Sequence, residues 1–163
     1  TSFRRLNQMN LYIEGYRTQN KKLVETLTTA SYWYCAKLLG IRMVNSPNLD
    51  VDIRLTRNLK EKENVYGYCH IIGNLGRPKE FCIELDGSTE HDMVQLLTWL
   101  AHEFVHLKQF FRIELYDLTD GTTQWKTKRY KSNKVTYLNS PWEKEAYRLE
   151  NKLADEFMES YNG

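Results

Sequence analysis

Apolar positions fall at helical spacing over the first forty residues. Leu23, Leu27, Ala30, Tyr34 and Leu38 recur every three or four positions, and Gly40 supplies a stop. A shorter helical piece ahead of it is predicted from Phe3, Leu6, Met9 and Ile13. The run Asn45-Ser46-Pro47-Asn48 is a turn signal. The period then changes. Val51, Ile53 and Leu55 alternate with charged residues, residues 65–72 are rich in β-branched and aromatic side chains, and Phe81, Ile83 and Leu85 alternate again. Loops are expected at 58–64 and 73–79. These spacings predict a small, mainly antiparallel sheet.

Helical spacing returns from about Glu90 to Phe111, carried by Met93, Leu96, Leu97, Leu100, Phe104, Leu107 and Phe111. Thr89, with Asp92 three residues on, reads as its cap. Residues 117–139 are polar and without helical period, with 125–130 and 135–138 as candidates for a short hairpin. Ser140 and Pro141 open a last helix, whose buried stripe is Trp142, Ala146, Leu149, Leu153 and Phe157. The fold class expected is α+β in one domain spanning residues 1–163. The N-terminal and central helices pack on the sheet, and the last helix closes a cleft against the sheet edge.

Composition bounds the partners. In 163 residues, 41% are hydrophobic and 27% charged, which is globular and not disordered. A net charge of +2 makes no global demand for a nucleic-acid or membrane partner. Cys35, Cys69 and Cys82 show no C-x-x-C spacing and read as thiols of a reducing compartment. No apolar run reaches membrane-spanning length and no signal peptide opens the chain, so a monomer in the cytoplasm is expected.

One run in the central helix carries chemistry: His102-Glu103-Phe104-Val105-His106. Two histidines four apart on a helix point the same way and can grip one zinc ion, with Glu103 beside them to handle a proton. A catalytic zinc takes a third protein ligand. Arg112 stands six residues beyond His106, where metzincins carry their third histidine, and no histidine follows His106. His91 lies about 16 Å up the helix axis from His102, too far to share an ion. His70 falls on a strand; it and His91 read as structural or exposed. Asp117 and Asp120 follow the helix closely, as in aspzincins. Better placed are Glu143 and Glu145, which open the last helix. Residues two apart on a helix face nearly opposite ways, so only one of them serves, and periodicity does not choose. Glu150 reads as a solvated or ion-paired helix residue.

With its pentad and a Glu-x-Glu-Ala stretch on the last helix, the chain resembles the gluzincin side of the zincin metallopeptidases. In several of those families the first Glu of that stretch is the third ligand, which implies Glu143, with Glu145 as fallback. The pentad, the stretch Trp125 to Tyr130 and Pro141 to Ala146 are together similar to small phage-encoded proteins described as SprT-like or putative metallopeptidases, and the size is that of minigluzincins. The likeness covers about residue 51 to the end. SprT-like proteases use a third histidine that this chain lacks, so the likeness is one of general layout. A phage origin would place the protein in the cytoplasm of the host cell.

The resemblance implies a zinc peptidase acting on peptides or proteins, with Zn2+ held by His102, His106 and Glu143. Glu103 is the base, and an edge strand within 65–85 pairs with the substrate. Tyr130, Tyr137, Tyr147 and Arg148 are candidates to stabilise the transition state, Tyr147 and Tyr137 foremost. Lys126, Lys128, Arg129, Lys131 and Lys134, interleaved with Trp125, Tyr130 and Tyr137, form a basic run. It supports an alternative: a zinc-binding interaction domain without protease activity, associated with nucleic acid.

Overall fold

Alternation decides the N-terminal segment. Leu11 and Ile13 are buried while Tyr12 and Glu14 are exposed, and Asn10–Gly15 forms strand β2, preceded by the short antiparallel strand β1 (Ser2–Phe3). The helical piece expected here is therefore corrected. The spacing of Met9 and Ile13 suits a helix, but the period-two burial of Leu11 and Ile13 against a neighbouring strand prevails. The computed structural model describes residues 2–3, 8–45, 48–73, 77–131 and 137–162. Leu6, the prolyl turn at residues 46–47, residues 74–76 of the second loop and Lys134 lie outside them.

Helix α1 (Lys21–Leu39) starts at Asn20, whose side chain accepts from the Leu23 amide at 3.1 Å. It ends at Gly40, whose φ of 95° takes the chain out of the helix. A single turn, α2 (Ile41–Val44), leads to β3 (Asp50–Thr56). The expected loop at 58–64 contains a short helix, α3 (Leu59–Glu63), before β4 (Gly67–Ile71) and β5 (Glu80–Asp86).

The strand order is β1-β2-β3-β5-β4. β2, β3 and β5 run parallel, and only β1 and β4 are antiparallel to their neighbours. The mainly antiparallel sheet is thus corrected to a mixed one. α1 carries the chain across between β2 and β3, as a parallel pair requires, and β5 inserts between β3 and β4, so these two never form a hairpin. This insertion leaves β4 at the edge. Cys69 pairs with Ile83 and Cys82 with His70, so the two thiols point to opposite faces of the sheet; all three cysteines are free.

The inner face, with Val51, Ile53, Phe81, Ile83 and Leu85, packs on α1 and on α4 (Met93–Phe111). The cap of α4 is Asp92 rather than Thr89. Its carboxylate accepts from the Gln95 amide while the Gln95 side chain accepts from the Asp92 amide, each at 2.9 Å. Beyond α4, β6 (Leu115–Asp117), β7 (Thr122–Trp125) and β8 (Lys128–Lys131) form a second, antiparallel sheet. The hairpin is therefore β7 with β8. Of the hairpin expected between 125–130 and 135–138, residues 135 and 136 lie outside the described residues, and Tyr137–Asn139 is a 3-10 turn. Helix α5 (Pro141–Asn162) then lies along α4. It buries Ala146, Leu153, Ala154 and Phe157, and Phe157 meets Tyr34 edge-on at 5.9 Å. The architecture is mixed α+β. Among the described residues, no helix is long and apolar enough to cross a membrane.

Candidate metal centre

His102 and His106 sit in the second half of α4, one turn apart and both buried. Because α5 packs along α4, its first turn brings Glu143, only 6% exposed, against both rings. The two Nε2 atoms are 3.2 Å apart. Glu143 Oε1 lies 3.0 Å from His102 Nε2 and 3.1 Å from His106 Nε2. The three donor atoms therefore form a nearly equilateral triangle. Tetrahedral zinc, bound at about 2.0–2.2 Å by nitrogen and carboxylate oxygen, sets its ligands about 3.3–3.5 Å apart, so the triangle is close to one face of such a site.

The far side of each ring fixes which nitrogen is free. His102 Nδ1 is 3.2 Å from Glu150 Oε2, a carboxylate that accepts. His106 Nδ1 is 2.8 Å from Gln109 Oε1. That amide can point only one way, since its nitrogen donates to the Trp142 carbonyl at 3.0 Å and to Glu145 at 3.1 Å. Both neutral rings thus carry their proton on Nδ1 and turn bare Nε2 lone pairs towards the Glu143 carboxylate. Three acceptors facing one another need a cation.

Protons on both imidazoles would answer the same demand. Burial opposes the charge on His102, but Glu143 and Glu150 outweigh it and raise its pKa to about 10; His106 is raised by Glu143 and Glu103, against burial and against His102. Glu143, in spite of burial, is held down at about 2 by the two histidines. Two imidazoliums 3.2 Å apart repel each other, whereas one divalent ion serves all three donors. His102, His106 and Glu143 are a buried group that could hold a metal ion.

Glu103 is also buried and reaches the edge strand β4, where its Oε2 lies 3.3 Å from the place a Cβ would take at Gly67. Burial is the main reason its pKa rises to about 7, with Glu143 and Glu150 adding and the histidines opposing. A carboxyl group that exchanges its proton near neutrality is suited to general acid–base work.

Two clefts meet at this carboxylate. One, of about 530 Å³, lies on the His102 side, and a smaller one of about 240 Å³ lies on the His106 side. Val65, Gly67, Glu103 and Tyr137 line both, which makes them two arms of one groove between β4 and α5.

The other candidates sort by contact. Tyr147 meets the His102 ring at 4.7 Å, and the Tyr137 hydroxyl faces Tyr147 and Glu143. Tyr130 packs on Trp142 instead, and Arg148 is exposed. Glu145 stands outside that group: it pairs with Lys108 at 2.9 Å and accepts from Gln109. Asp117 and Asp120 accept from Thr123 and Thr122 in the small sheet. His70 stacks on Tyr68, and His91 is buried against Tyr66 and Trp99, its ring nearly perpendicular to both. Lys126, Lys128, Arg129 and Lys131 are exposed on the β7–β8 hairpin.

Two functional contacts escaped the sequence reading. Glu150 is ion-paired, one of the two states expected of it, but its partner, His102, was not foreseen. Its signal was the spacing Glu143, Tyr147, Glu150, which puts all three on one helical stripe. Gln109, three residues after His106, carried the same kind of signal.

These features define an α+β protein with a buried two-histidine, one-glutamate centre at the floor of a groove. Comparison with protein-family models, with curated proteins and with solved structures returns no match for this chain.

Proposed function

We propose that the chain is a small zinc-dependent metallopeptidase of the gluzincin type, with a zincin-like arrangement of its elements. The observation that carries this reading is the triangle of His102, His106 and Glu143 donor atoms beside the buried carboxylate of Glu103. His102, His106 and Glu143 would hold the ion. When bound, zinc supplies Lewis acidity and a water of lowered pKa.

The protein's own groups do the rest. Glu103 takes the proton of the attacking water and delivers it to the departing amine. Tyr147 and Tyr137, beside the triangle, are placed to donate to the oxygen on which negative charge develops. Glu150 and Gln109 hold the ligand tautomers fixed through that charge change. The edge strand β4 offers its unpaired side to an extended peptide, which it binds as an added strand over Glu103. The substrate is accordingly a peptide or an unfolded stretch of protein.

The test is metal analysis of the purified protein followed by cleavage of a peptide library, with Glu103→Gln as control. One zinc per chain and cleavage are expected. The variant should keep the metal and slow by on the order of 10²- to 10⁴-fold. Full activity in Glu103→Gln would overturn the mechanism.

A second reading rests on the exposed basic hairpin, where Lys128 and Lys126 lie over the Tyr130 and Trp125 rings. It makes the chain a zinc-binding, nucleic-acid-associated domain without hydrolysis. Salt-dependent binding to DNA or RNA by zinc-loaded protein that cuts no peptide would favour it.

A further inference from the structure

The five-stranded sheet is covered on one face only. Parallel strands are usually buried on both sides and then apolar throughout. Here β2, β3 and β5 alternate, and among the described residues no helix packs on their outward positions. Those positions are acidic. Glu14, Asp50, Asp52, Glu80 and Glu84 stand there against one arginine, Arg54. That guanidinium is shared, its Nε 3.1 Å from Glu14 and 3.2 Å from Asp52. Burial, and then Glu14, still push the Asp52 carboxyl above its ordinary value. Asp50 and Glu80 are register partners on neighbouring strands, where like charges repel, and no cation among the described residues pairs with either. Beside them Tyr12, 39% exposed, and Ile72, 42% exposed, line a hollow of about 320 Å³. A concave patch with exposed apolar surface and uncompensated negative charge suits a cationic partner.

The chain itself carries the complementary surface. Lys126, Lys128, Arg129 and Lys131 are exposed on the β7–β8 hairpin. Two of these cations are held in place: Lys126 Nζ lies 5.0 Å over the Trp125 ring and Lys128 Nζ 5.3 Å over Tyr130. Both rings pack in turn on Trp142 at the start of α5. A cation already ordered loses less freedom on docking. Because α5 lies along α4, and α4 along the inner face of the sheet, the hairpin stands on the helix side and the acidic positions on the other. The two surfaces therefore cannot meet within one molecule, and among the described residues no ion pair joins them. Nucleic acid would use only the hairpin. It would leave the acidic face without a partner, and that face would repel it.

We infer that the protein associates with itself head to tail, the basic β7–β8 hairpin of one copy docking on the acidic outer face of the sheet of the next. The two surfaces differ and lie on opposite sides, so the contact does not close as a two-fold dimer, and copies add into a ring or a chain. The inference goes beyond the peptidase reading and does not depend on it.

Sedimentation of the purified protein tests it. At about 0.01 M salt the mass should rise with concentration from the 19.5 kDa of the monomer past the dimer, and at about 1 M salt it should return to the monomer. Lys128→Glu with Arg129→Glu makes both surfaces acidic, and Glu14→Lys with Glu80→Lys makes both basic. Each double variant alone should stay monomeric, and thermal unfolding shows that each is folded. Mixing the two restores complementary pairs and should restore assembly. A wild-type protein that is monomeric at low salt overturns the inference, as does assembly that survives in either double variant. A short RNA duplex bound by a monomer through Lys128 and Arg129 also overturns it, and gives the hairpin to nucleic acid.

Discussion

The side-chain oxygen of Gln109 stands 2.8 Å from Nδ1 of His106. Behind it the chain of contacts runs from Gln109 Nε2 to Glu145 and on to Lys108, which also pairs with Glu114 at 2.8 Å. One candidate ligand is thus held by a neutral amide backed by an ion-pair cluster, and the other directly by the Glu150 carboxylate. Gln109→Ala removes the acceptor that keeps the proton on Nδ1. Metal affinity, read by competition with a chelator, should fall on the order of 10- to 100-fold with the fold retained. Unchanged affinity would sink the role assigned to Gln109.

Glu143 and Glu145, two residues apart, should separate cleanly. Glu143→Ala deletes one corner of the donor triangle, so the protein should lose its stoichiometric metal and all hydrolysis. Glu145→Ala should keep the metal. Its cost is to stability, about 1–3 kcal/mol by denaturant unfolding, because Lys108 and Gln109 lose an acceptor while Lys108 retains Glu114. Metal loss in Glu145→Ala with retention in Glu143→Ala would reverse the assignment.

The raised pKa of Glu103 predicts an acid limb in the pH profile. The group must be ionised to accept a proton, and burial lifts it to about 7, so kcat/KM should rise with pH through that region. A divalent ion near by favours the carboxylate and moves the limb downwards, so the inflection belongs at or below about 7. Metal binding should weaken in the same direction. Glu143 and Glu150 favour the proton on His102, so acidification puts protons in competition with the ion. A kcat/KM that stays level on acidification until the metal itself is lost would exclude Glu103 as the base.

Much of the site could be read from the chain because it is helical. A pentad on one helix and Glu143 at the start of another have fixed angular positions, and their side-chain directions follow from spacing alone. The choice between Glu143 and Glu145 did not follow, since both flank the apolar stripe. It was decided by the way α5 lies along α4, with Lys108 and Gln109 waiting for the outer glutamate. The strands were harder. Asn10–Gly15 has too few residues for its period to prevail over the Met9 and Ile13 spacing, and the insertion of β5 between β3 and β4 is a long-range pairing with no local signature. A cleft between the sheet edge and the last helix was expected, but which strand within 65–85 forms that edge depends on this insertion and came only with the fold.

Gly67 shows how closely the edge strand and the base are fitted. A Cβ there would lie 3.0 Å from Leu85 Cδ2, 3.1 Å from the Glu84 carbonyl oxygen and 3.3 Å from Glu103 Oε2. The leucine methyl can turn aside. The carbonyl belongs to the paired strand β5 and cannot, so relief must come from a shift of β4 or from displacement of Glu103. Gly67→Ala should therefore cost about 1–3 kcal/mol of stability. It should also slow hydrolysis by up to about 10²-fold through misplacement of the base, while metal content stays at the wild-type level. Thermal unfolding, metal analysis and peptide kinetics on the same preparation separate these effects. Wild-type kcat in a destabilised but metal-loaded variant would mean that Glu103 does not work from the position beside β4.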